Sequence, residues 1–201
     1  EFEVDRKSRF KKGSGLPIRI PVIEMVEIGA GGGSIARVNK LDQITIGPDS
    51  AGADPGPACY GLGGQEPTIT DADLIIGKIN PDNFASGKIK LFRKKSELAI
   101  REKISKPLKL NLEMSALGIT EMVDETMANA ARVHAVEQGQ DTENKTLIAF
   151  GGAAPLHVSR IAEKLKVRKI IIPTNASVGS AVGFLLAPVG YEVIKSMRFF
   201  L

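Results

Sequence analysis

Apolar residues recur at steps of three and four along the middle of the chain, from Asn111 onward. The stripe consists of Ala116, Ile119, Val123, Met127, Ala130 and His134. This spacing puts these side chains on one face of an α-helix of about seven turns that ends at Gly139. A weaker pattern over Lys94–Ser105 predicts a second helix, which ends before Pro107 because a residue that precedes proline disfavours the helical conformation.

Short runs of β-forming residues lie on both sides of the long helix. On its N-terminal side they predict a hairpin or meander over Phe2–Pro21 and strands over Val22–Ile28 and Gln43–Ile46. On its C-terminal side they predict buried strands over Thr146–Phe150 and Lys169–Pro173, followed by helices that end near Leu165 and Ala187. The order strand, helix, strand, helix predicts a parallel βαβ unit.

The stretch from Gly47 to Thr70 has no hydrophobic period and consists largely of glycine, proline and other turn-forming residues. Loops of this length are uncommon in compact domains, and they are usually functional or disordered. The small apolar residues of this Gly/Pro-rich loop, together with Cys59 and Tyr60, argue against disorder. We therefore expect an ordered, functional loop.

A short helix is predicted directly after this loop, with Thr70 or Asp71 as its cap and Gly77 at its end. The whole pattern predicts an α/β protein with a strand-rich segment over residues 1–92 and a helical and βαβ segment over residues 93–201, both parts of one larger domain. The chain begins within a strand pattern and ends on apolar residues, so we expect an internal fragment of a longer polypeptide.

Composition narrows the classes of function. The formal net charge is +4, but the basic residues are scattered, aromatic residues make up 5% of the chain and tryptophan is absent, so we expect no nucleic-acid binding. No apolar run reaches the roughly 20 residues that span a bilayer, and no signal peptide opens the chain, so we expect no membrane partner. The single cysteine suits a reducing compartment, and together these features predict a cytoplasmic protein.

The glycine pair Gly151-Gly152 follows the first strand of the predicted βαβ unit. Without side chains it would let a ligand ring lie on the backbone, beside a helix start that carries partial positive charge. A nucleotide contact is one interpretation, and a tight turn between strand and helix is the other. Residues 29–33 lack both the dinucleotide fingerprint and the Lys-Ser/Thr of a P-loop, although their amides could face an anion.

Acidic side chains are concentrated in and after the Gly/Pro-rich loop, at Asp49, Asp54, Asp71 and Asp73. Together they could bind magnesium, but Asp71 also suits a helix cap and Asp49 a turn. Cys59 would be a nucleophile if a base lay beside it. His134 lies on the apolar stripe, whereas His157 follows the glycine pair and is the better candidate for chemistry.

Several motifs taken together closely resemble the hydantoinase A/5-oxoprolinase family, of the N-methylhydantoinase A-like type. They are Ile28–Ala36, Gly47–Tyr60, Thr68–Asp73, Met127–Ala130 and Ala149–Ala153, in the family's order and approximate spacing. The matches span nearly the whole chain, and the Gly/Pro-rich loop is highly specific. Arg9–Pro17 looks more like the acetone and acetophenone carboxylase branch than the simple hydantoinases.

This resemblance implies an actin-like ATPase fold, related to ribonuclease H, in which two α/β domains close over ATP. The chain would form a half-domain with the βαβ unit and an irregular Gly/Pro-rich insertion. Gly151, Gly152 and Ala153 match the adenosine loop and, with Ala154, would contact adenosine, while Gly31, Gly32 and Gly33 would approach the phosphates or the activated substrate. Both phosphate loops of the family are missing from the chain, so other parts of the subunit would complete the site.

The reaction that the resemblance implies uses ATP and Mg²⁺ to phosphorylate an oxygen of an amide, a ketone enol or bicarbonate. Hydrolysis of a cyclic amide, such as hydantoin or oxoproline, or carboxylation of a ketone then follows. The implied partners are the remainder of the hydantoinase A-like subunit, a hydantoinase B-like subunit and a small-molecule substrate. Asp54, Asp71 and His157 rank next as catalytic residues without an assigned role, and no metal ligand is assigned. The alternative is a structural or assembly module of such a complex, with its own site unused.

Overall fold

The structure, a computed structural model, describes residues 25–191. The predicted hairpin over Phe2–Pro21 and the start of the predicted strand over Val22–Ile28 lie outside these residues. Residues 25–28 are irregular, so the described part of that strand is not formed. By its internal contacts the chain divides into Glu1–Thr142 (unit 1) and Glu143–Leu201 (unit 2), whereas the sequence pattern suggests segments of 1–92 and 93–201.

Unit 1 contains an antiparallel β-hairpin of β1 (Ser34–Val38) and β2 (Ile44–Ser50). The Asn39 side chain shapes the turn between them, because its Oδ1 accepts hydrogen bonds from Leu41 N at 2.8 Å and Gln43 N at 3.0 Å. The second strand confirms the prediction for this part of the sequence, and it extends further than predicted.

The helices of unit 1 are α1 (Ile69–Ile75), α2 (Arg93–Ile100), α3 (Lys106–Leu108) and α4 (Leu112–Glu137). A π-helical turn, Arg101–Ser105, joins α2 to α3, with Lys106 N donating to Arg101 O. The predicted end before Pro107 is therefore wrong, because the helical run passes through this proline. Proline has no N–H to donate, and the wider turn before it departs from the usual pairing with the fourth residue back.

Helix α4 confirms the prediction from the apolar stripe. Asn111 caps it, with Oδ1 accepting a hydrogen bond from Met114 N at 2.7 Å. The core of unit 1 consists of Ala36, Ile69, Ala72, Ile75, Ile100, Ile104, Leu112, Ala116, Ile119 and Val123, all buried. Further along the stripe, Met127, Ala130 and His134 are only partly buried. Among residues 25–191 no helix, α4 included, is both long enough and apolar enough to cross a membrane.

Unit 2 contains β3 (Thr146–Ile148), α5 (Ala154–Leu165), β4 (Lys169–Ile171), a 3₁₀ turn (Ala176–Val178) and α6 (Gly179–Leu186). The two strands are parallel, which confirms the βαβ unit. The prediction that both strands are buried is wrong for this chain, since Ile148 is 59% exposed and Ile171 is 41% exposed. An apolar strand indicates that a sheet is covered, but it does not indicate which polypeptide covers it.

Candidate functional site

Helix α1 begins with a capping box. Thr68 is the N-cap: its Oγ1 accepts a hydrogen bond from Asp71 N at 3.3 Å, and Asp71 Oδ2 accepts one from Thr68 N at 2.9 Å. The predicted cap, Thr70 or Asp71, is therefore wrong. Thr68 is the cap, and Asp71 is the third residue of the helix, whose carboxylate accepts the hydrogen bond from the Thr68 N–H. Gly77 has a φ of +82° just past the helix end, as expected for a residue that terminates a helix.

The Asp71 carboxylate is fully buried and accepts hydrogen bonds from three parts of unit 1. Its Oδ1 accepts from Cys59 N at 2.8 Å and from Ser96 Oγ on α2 at 2.6 Å. Its Oδ2 accepts from Ala58 N at 3.2 Å, and from Thr68 N at 2.9 Å and Thr68 Oγ1 at 2.8 Å. Hydrogen bonds to an ionised carboxylate are about twice as strong as neutral ones, so this set offsets the cost of burying the charge.

This geometry makes Asp71 the anchor of the Gly/Pro-rich loop. Two amides of the 3₁₀ turn Ala58–Tyr60 donate to the carboxylate, and the Ser96 hydroxyl connects α2 to the same group. A carboxylate enclosed in this way would reach a substrate only after a rearrangement of the loop. The predicted catalytic role of Asp71 stays a prediction, and the contacts of the residue are those of a positioning group.

Cys59 lies inside the loop and is fully buried. Burial, and then the negative charge and hydrogen bond of Asp71, raise the pKa of the Cys59 thiol well above its usual value. Because Asp71 favours the neutral thiol, it does not act as the base that a cysteine nucleophile requires. Burial also raises the pKa of Tyr60, whose ring packs against Phe84 with 5.9 Å between the ring centroids.

The glycine turn before β1 packs against α1 and β2. Thr70 donates from both its N–H and its Oγ1 to Gly32 O, at 2.9 Å in each case. A methyl group on Gly32 would meet Thr70 Oγ1 at 2.7 Å, and one on Gly33 would meet a side-chain oxygen of β2 at 2.8 Å. Gly31 has open space beside it, but its N–H donates to Ser34 Oγ at 3.0 Å. Close packing accounts for Gly32 and Gly33, and the phosphate contacts expected of the three glycines stay a prediction.

The acidic residues of the loop are not gathered into one cluster. Asp54 lies in an exposed stretch, and Asp49 forms an ion pair with Arg37, at 2.8 Å between Oδ2 and Nη1. Within residues 25–191, no three His, Cys, Asp or Glu side chains are grouped so that they could hold a metal ion. We therefore assign no magnesium ligand, and the catalytic role of Asp54 stays a prediction.

A buried charge network connects α1 with α4. Asp73 and Asp124 are each less than a twentieth exposed, and Lys78 Nζ lies 3.6 Å from Asp73 Oδ1 and 4.0 Å from Asp124 Oδ2. The ammonium group offsets the cost of burying two carboxylates near each other. Asp73 therefore pairs with Lys78, whereas its position in the sequence suggests a place in an acidic cluster that binds magnesium.

In unit 2 the glycine pair lies between β3 and α5, as predicted. Gly151 has a φ of +93°, which strains any residue with a side chain, and its N–H donates to Ala176 O at 2.7 Å. A methyl group on Gly151 or Gly152 would meet no atom of the described residues within 4 Å. Among the described residues nothing fills the position of a side chain on either glycine, so a flat ligand could approach the backbone there.

Helix α5 begins directly after the glycine pair. Ala153 is the N-cap and supplies no side-chain hydrogen bond, and Ala154 and Pro155 begin the helix. These small residues leave the first turn accessible to a ligand beside the glycine pair. His157 follows in the same turn but is 1% exposed, and its catalytic role stays a prediction.

Sequence reasoning missed four residues of these arrangements: Thr68, Ser96, Lys78 and Asp124. Thr68 carried a readable signal, because Ser or Thr followed three residues later by an acidic residue is the capping-box pattern. Ser96 is 25 positions from Asp71, and no local pattern connects the two. Asp124 lies beside Val123 on α4, where its burial depends on how α1 packs.

Comparison with known proteins gives a consistent result. The family model described as hydantoinase/oxoprolinase matches residues 1–193. The chain is 42% identical over 200 residues to an uncharacterized protein of Methanocaldococcus jannaschii, with 98% of this chain and 29% of that protein covered. It is 41% identical over 180 residues to caprolactamase subunit alpha of Pseudomonas jessenii, with 90% and 26% covered. It is 34% identical over 183 residues to the acetone carboxylase beta subunit of Xanthobacter autotrophicus, again with 90% and 26% covered.

Two solved structures share the fold. A nucleotide-free structure of acetone carboxylase, determined for the mechanism of ATP-dependent acetone carboxylation, superimposes with a TM-score of 0.76 at 34% identity. The ATP-dependent caprolactamase of Pseudomonas jessenii superimposes with the same TM-score at 43% identity. In each case 84% of this chain and 24% of the other chain are covered. The chain is thus a mixed α/β structure similar to a part of these enzymes, and it spans 25–29% of the length of four curated relatives that it matches.

Proposed function

The chain belongs to the hydantoinase/oxoprolinase family, and we propose that it is the adenosine-contacting part of an ATP-dependent enzyme that activates a carbonyl-type substrate. The reaction class is hydrolysis of a cyclic amide or carboxylation of a ketone. Relatives named caprolactamase, acetone carboxylase and 5-oxoprolinase support this class. Because the chain spans 26% of the caprolactamase and acetone carboxylase subunits and 15% of 5-oxoprolinase 1, we propose this activity for a larger protein that contains it.

The open glycine pair at the end of β3 is the observation on which this proposal rests. A purine that lies flat on a backbone needs residues without side chains and free space above them, and Gly151 and Gly152 have both. Ala153 and Ala154 extend this surface into the first turn of α5. We also propose that the βαβ unit belongs to an actin-like ATPase half-domain, as the family resemblance implies, and its parallel strands agree with this.

Bound ATP would supply a phosphoryl group to an oxygen of the substrate. The residues of this chain would bind and orient: Gly151 to Ala154 hold the adenosine, and the turn of Gly31 to Gly33 approaches the phosphates or the activated substrate. Phosphoryl transfer depends mainly on positioning and charge neutralisation. An anchored Gly/Pro-rich loop that presents Asp54 would contribute by orientation, with Asp71 as its support.

The proposed partners follow from the same premise. They are the remainder of a hydantoinase A-like subunit, a hydantoinase B-like subunit, Mg²⁺ bound together with ATP, and a small carbonyl compound, in the cytoplasm. The relatives that are named as subunits of caprolactamase and acetone carboxylase support an assembly of this kind.

Isothermal titration calorimetry with ATP and Mg²⁺ tests the proposal on the chain alone and on the full-length subunit that contains it. Gly152→Phe would occupy the open space, so we expect affinity for ATP to fall at least about tenfold in the full-length subunit. Gly190→Phe is the matched control, because Gly190 lies after α6, is also exposed and also has open space beside it. Equal ATP binding by Gly152→Phe and wild type would refute the adenosine contact.

One observation favours the alternative of an assembly module. Phe184 and Leu185 on α6 are each 82% exposed, and large exposed apolar side chains often mark surfaces that another polypeptide covers. If the chain acts in assembly alone, Gly152→Phe should leave the activity of the complex unchanged. The same substitution therefore separates the two functions.

A further inference from the structure

A cavity of about 390 Å³ lies in unit 1 where the end of the Gly/Pro-rich loop faces α2 and the π turn. Gly63, Gly64, Leu98 and Ala99 form its mainly apolar wall, and Lys95 and Lys103 lie at its rim. Ligand pockets in proteins are usually about 300–1,000 Å³ and combine an apolar lining with a few polar groups that fix orientation. The cavity thus has the size and composition of a site for one small molecule.

The loop geometry keeps this cavity open. Gly64 lies against the carbonyl oxygen of Gly56, so a side chain at this position has no room. Gly63 has a φ of +106° and open space beside it. Lys95 Nζ donates to Gly61 O at 3.1 Å and holds the loop end to α2. The conformation of the loop backbone therefore keeps this wall of the cavity free of side chains. The opposite wall is formed by residues of α2.

Among the described residues, the charged lining of the cavity includes one ammonium group, that of Lys95, without a carboxylate partner. Lys103 pairs with Glu66 at 3.2 Å, and Glu102, which also lines the cavity, pairs with Lys106 at 2.6 Å. In the described part of the chain, Lys95 has neutral partners, the Gly61 carbonyl and the Phe92 ring at 5.4 Å. A ligand with one negative charge would complete the electrostatics of the rim, whereas a dianion would leave a charge unmatched.

We propose that this cavity binds a small organic monoanion, a carboxylate on an apolar body. The carboxylate pairs with Lys95, and the apolar body lies against Leu98 and Ala99. This site is separate from the proposed adenosine contact in unit 2, and its existence does not depend on ATP binding.

Benzoate and its neutral counterpart benzamide test the proposal by NMR titration of the full chain at low salt. Benzoate should shift the amide signals of Gly63, Gly64 and Ala99 in a saturable way, and benzamide should bind more weakly. Lys95→Met should weaken benzoate binding about fivefold, the effect of one partly exposed ion pair. Lys94→Met, one position along the same helix, should leave it unchanged.

A second pair of variants tests the apolar wall without touching the lysine. Leu98→Asp should abolish benzoate binding, whereas Leu117→Asp, at an exposed apolar position of α4, should not. The proposal is overturned if benzoate shifts map elsewhere, if benzamide binds as well as benzoate, or if Lys95→Met and Lys94→Met behave alike. ATP titration in the same samples keeps this result distinct from the test of the adenosine contact.

Discussion

Unit 1 and unit 2 differ in where their apolar side chains lie. Unit 1 buries a continuous cluster that includes Ile69, Ile100 and Ile119, each fully inaccessible to solvent. In unit 2, the strand residues Ile148 and Ile171 are 59% and 41% exposed, although strands of parallel sheets are normally covered on both faces. Unit 1 thus carries an extended core, whereas unit 2 buries fewer apolar residues, among them Val158, Ala162 and Leu165 of α5, and exposes apolar residues of its strands.

The polar groups follow the same division. In unit 1 the charged Asp71 is enclosed and accepts hydrogen bonds from the 3₁₀ turn of the Gly/Pro-rich loop, from Thr68 and from Ser96 on α2. In unit 2 the glycine pair has open space where side chains would lie, and the residues that follow it, Ala153 and Ala154, have small side chains. Rigid anchoring suits a loop that must be positioned, and open backbone suits a ligand contact, which agrees with the proposed roles of positioning for unit 1 and adenosine binding for unit 2.

The largest effect should come from Asp71. Asp71→Asn removes the charge and places an NH₂ group where a carboxylate oxygen accepts hydrogen bonds, so buried donors lose their acceptor. We expect the free energy of unfolding to fall by about 3 kcal/mol or more. Urea denaturation measures it, with the exposed Asp54→Asn as control. Equal stability of the two variants would contradict the anchoring role.

A pair of isoleucines tests the difference between the two cores directly. Ile119→Ala in unit 1 should cost about 2–5 kcal/mol, the usual range for a fully buried isoleucine. Ile171→Ala in unit 2 should cost less than about 1 kcal/mol in this chain, because the side chain is 41% exposed. Hydrogen exchange of the amides in each unit reports the two stabilities separately. Similar losses in both units would show that unit 2 has a closed core after all.

Features that depend on the local spacing of apolar residues were predicted from the sequence. The steps of three and four from Ala116 to Met127 define α4, and the two apolar runs with a helix between them define the parallel βαβ unit. Both follow from chain geometry alone, since helix and strand periods differ. The glycine pair was placed correctly for the same reason, because a strand that leads into a helix requires a turn at that point.

Features that depend on packing between distant segments were not predicted. Ser96 donates to Asp71 across 25 positions, and Lys78 lies between carboxylates of α1 and α4. The helix through Pro107 was missed because the π turn before it has no sequence pattern of its own. The exposure of β3 and β4 was missed because an apolar sequence reports that a strand prefers to be covered, whatever covers it.

Ser96 should show the next largest effect. Ser96→Ala removes the 2.6 Å hydrogen bond to Asp71 but leaves four other donors on the carboxylate. We expect a loss of about 1–2 kcal/mol, smaller than for Asp71→Asn, because the charge keeps most of its partners. Thr126→Ala on the exposed face of α4 serves as control in the same urea series. A loss equal to that of Asp71→Asn would mean that the loop is held by α2 alone.

A smaller effect than that of Ser96→Ala should appear at high pH and report on Cys59. Its pKa is raised in the folded state above the usual thiol value of 9.0 by burial and by Asp71, so folding favours the neutral thiol. This contribution is fully present below about pH 9 and is lost as the pH rises toward the folded-state value, because the unfolded chain then releases a proton that the folded chain retains. Relative to Cys59→Ala, the wild type should lose about 1 kcal/mol of stability between about pH 8 and 10. Urea denaturation of both proteins across this range measures the difference, in which the alkaline effects common to both proteins cancel. A difference that stays constant with pH would mean that the interior of the Gly/Pro-rich loop admits water, and the contrast between a closed unit 1 and an open unit 2 would then fail at its most enclosed point.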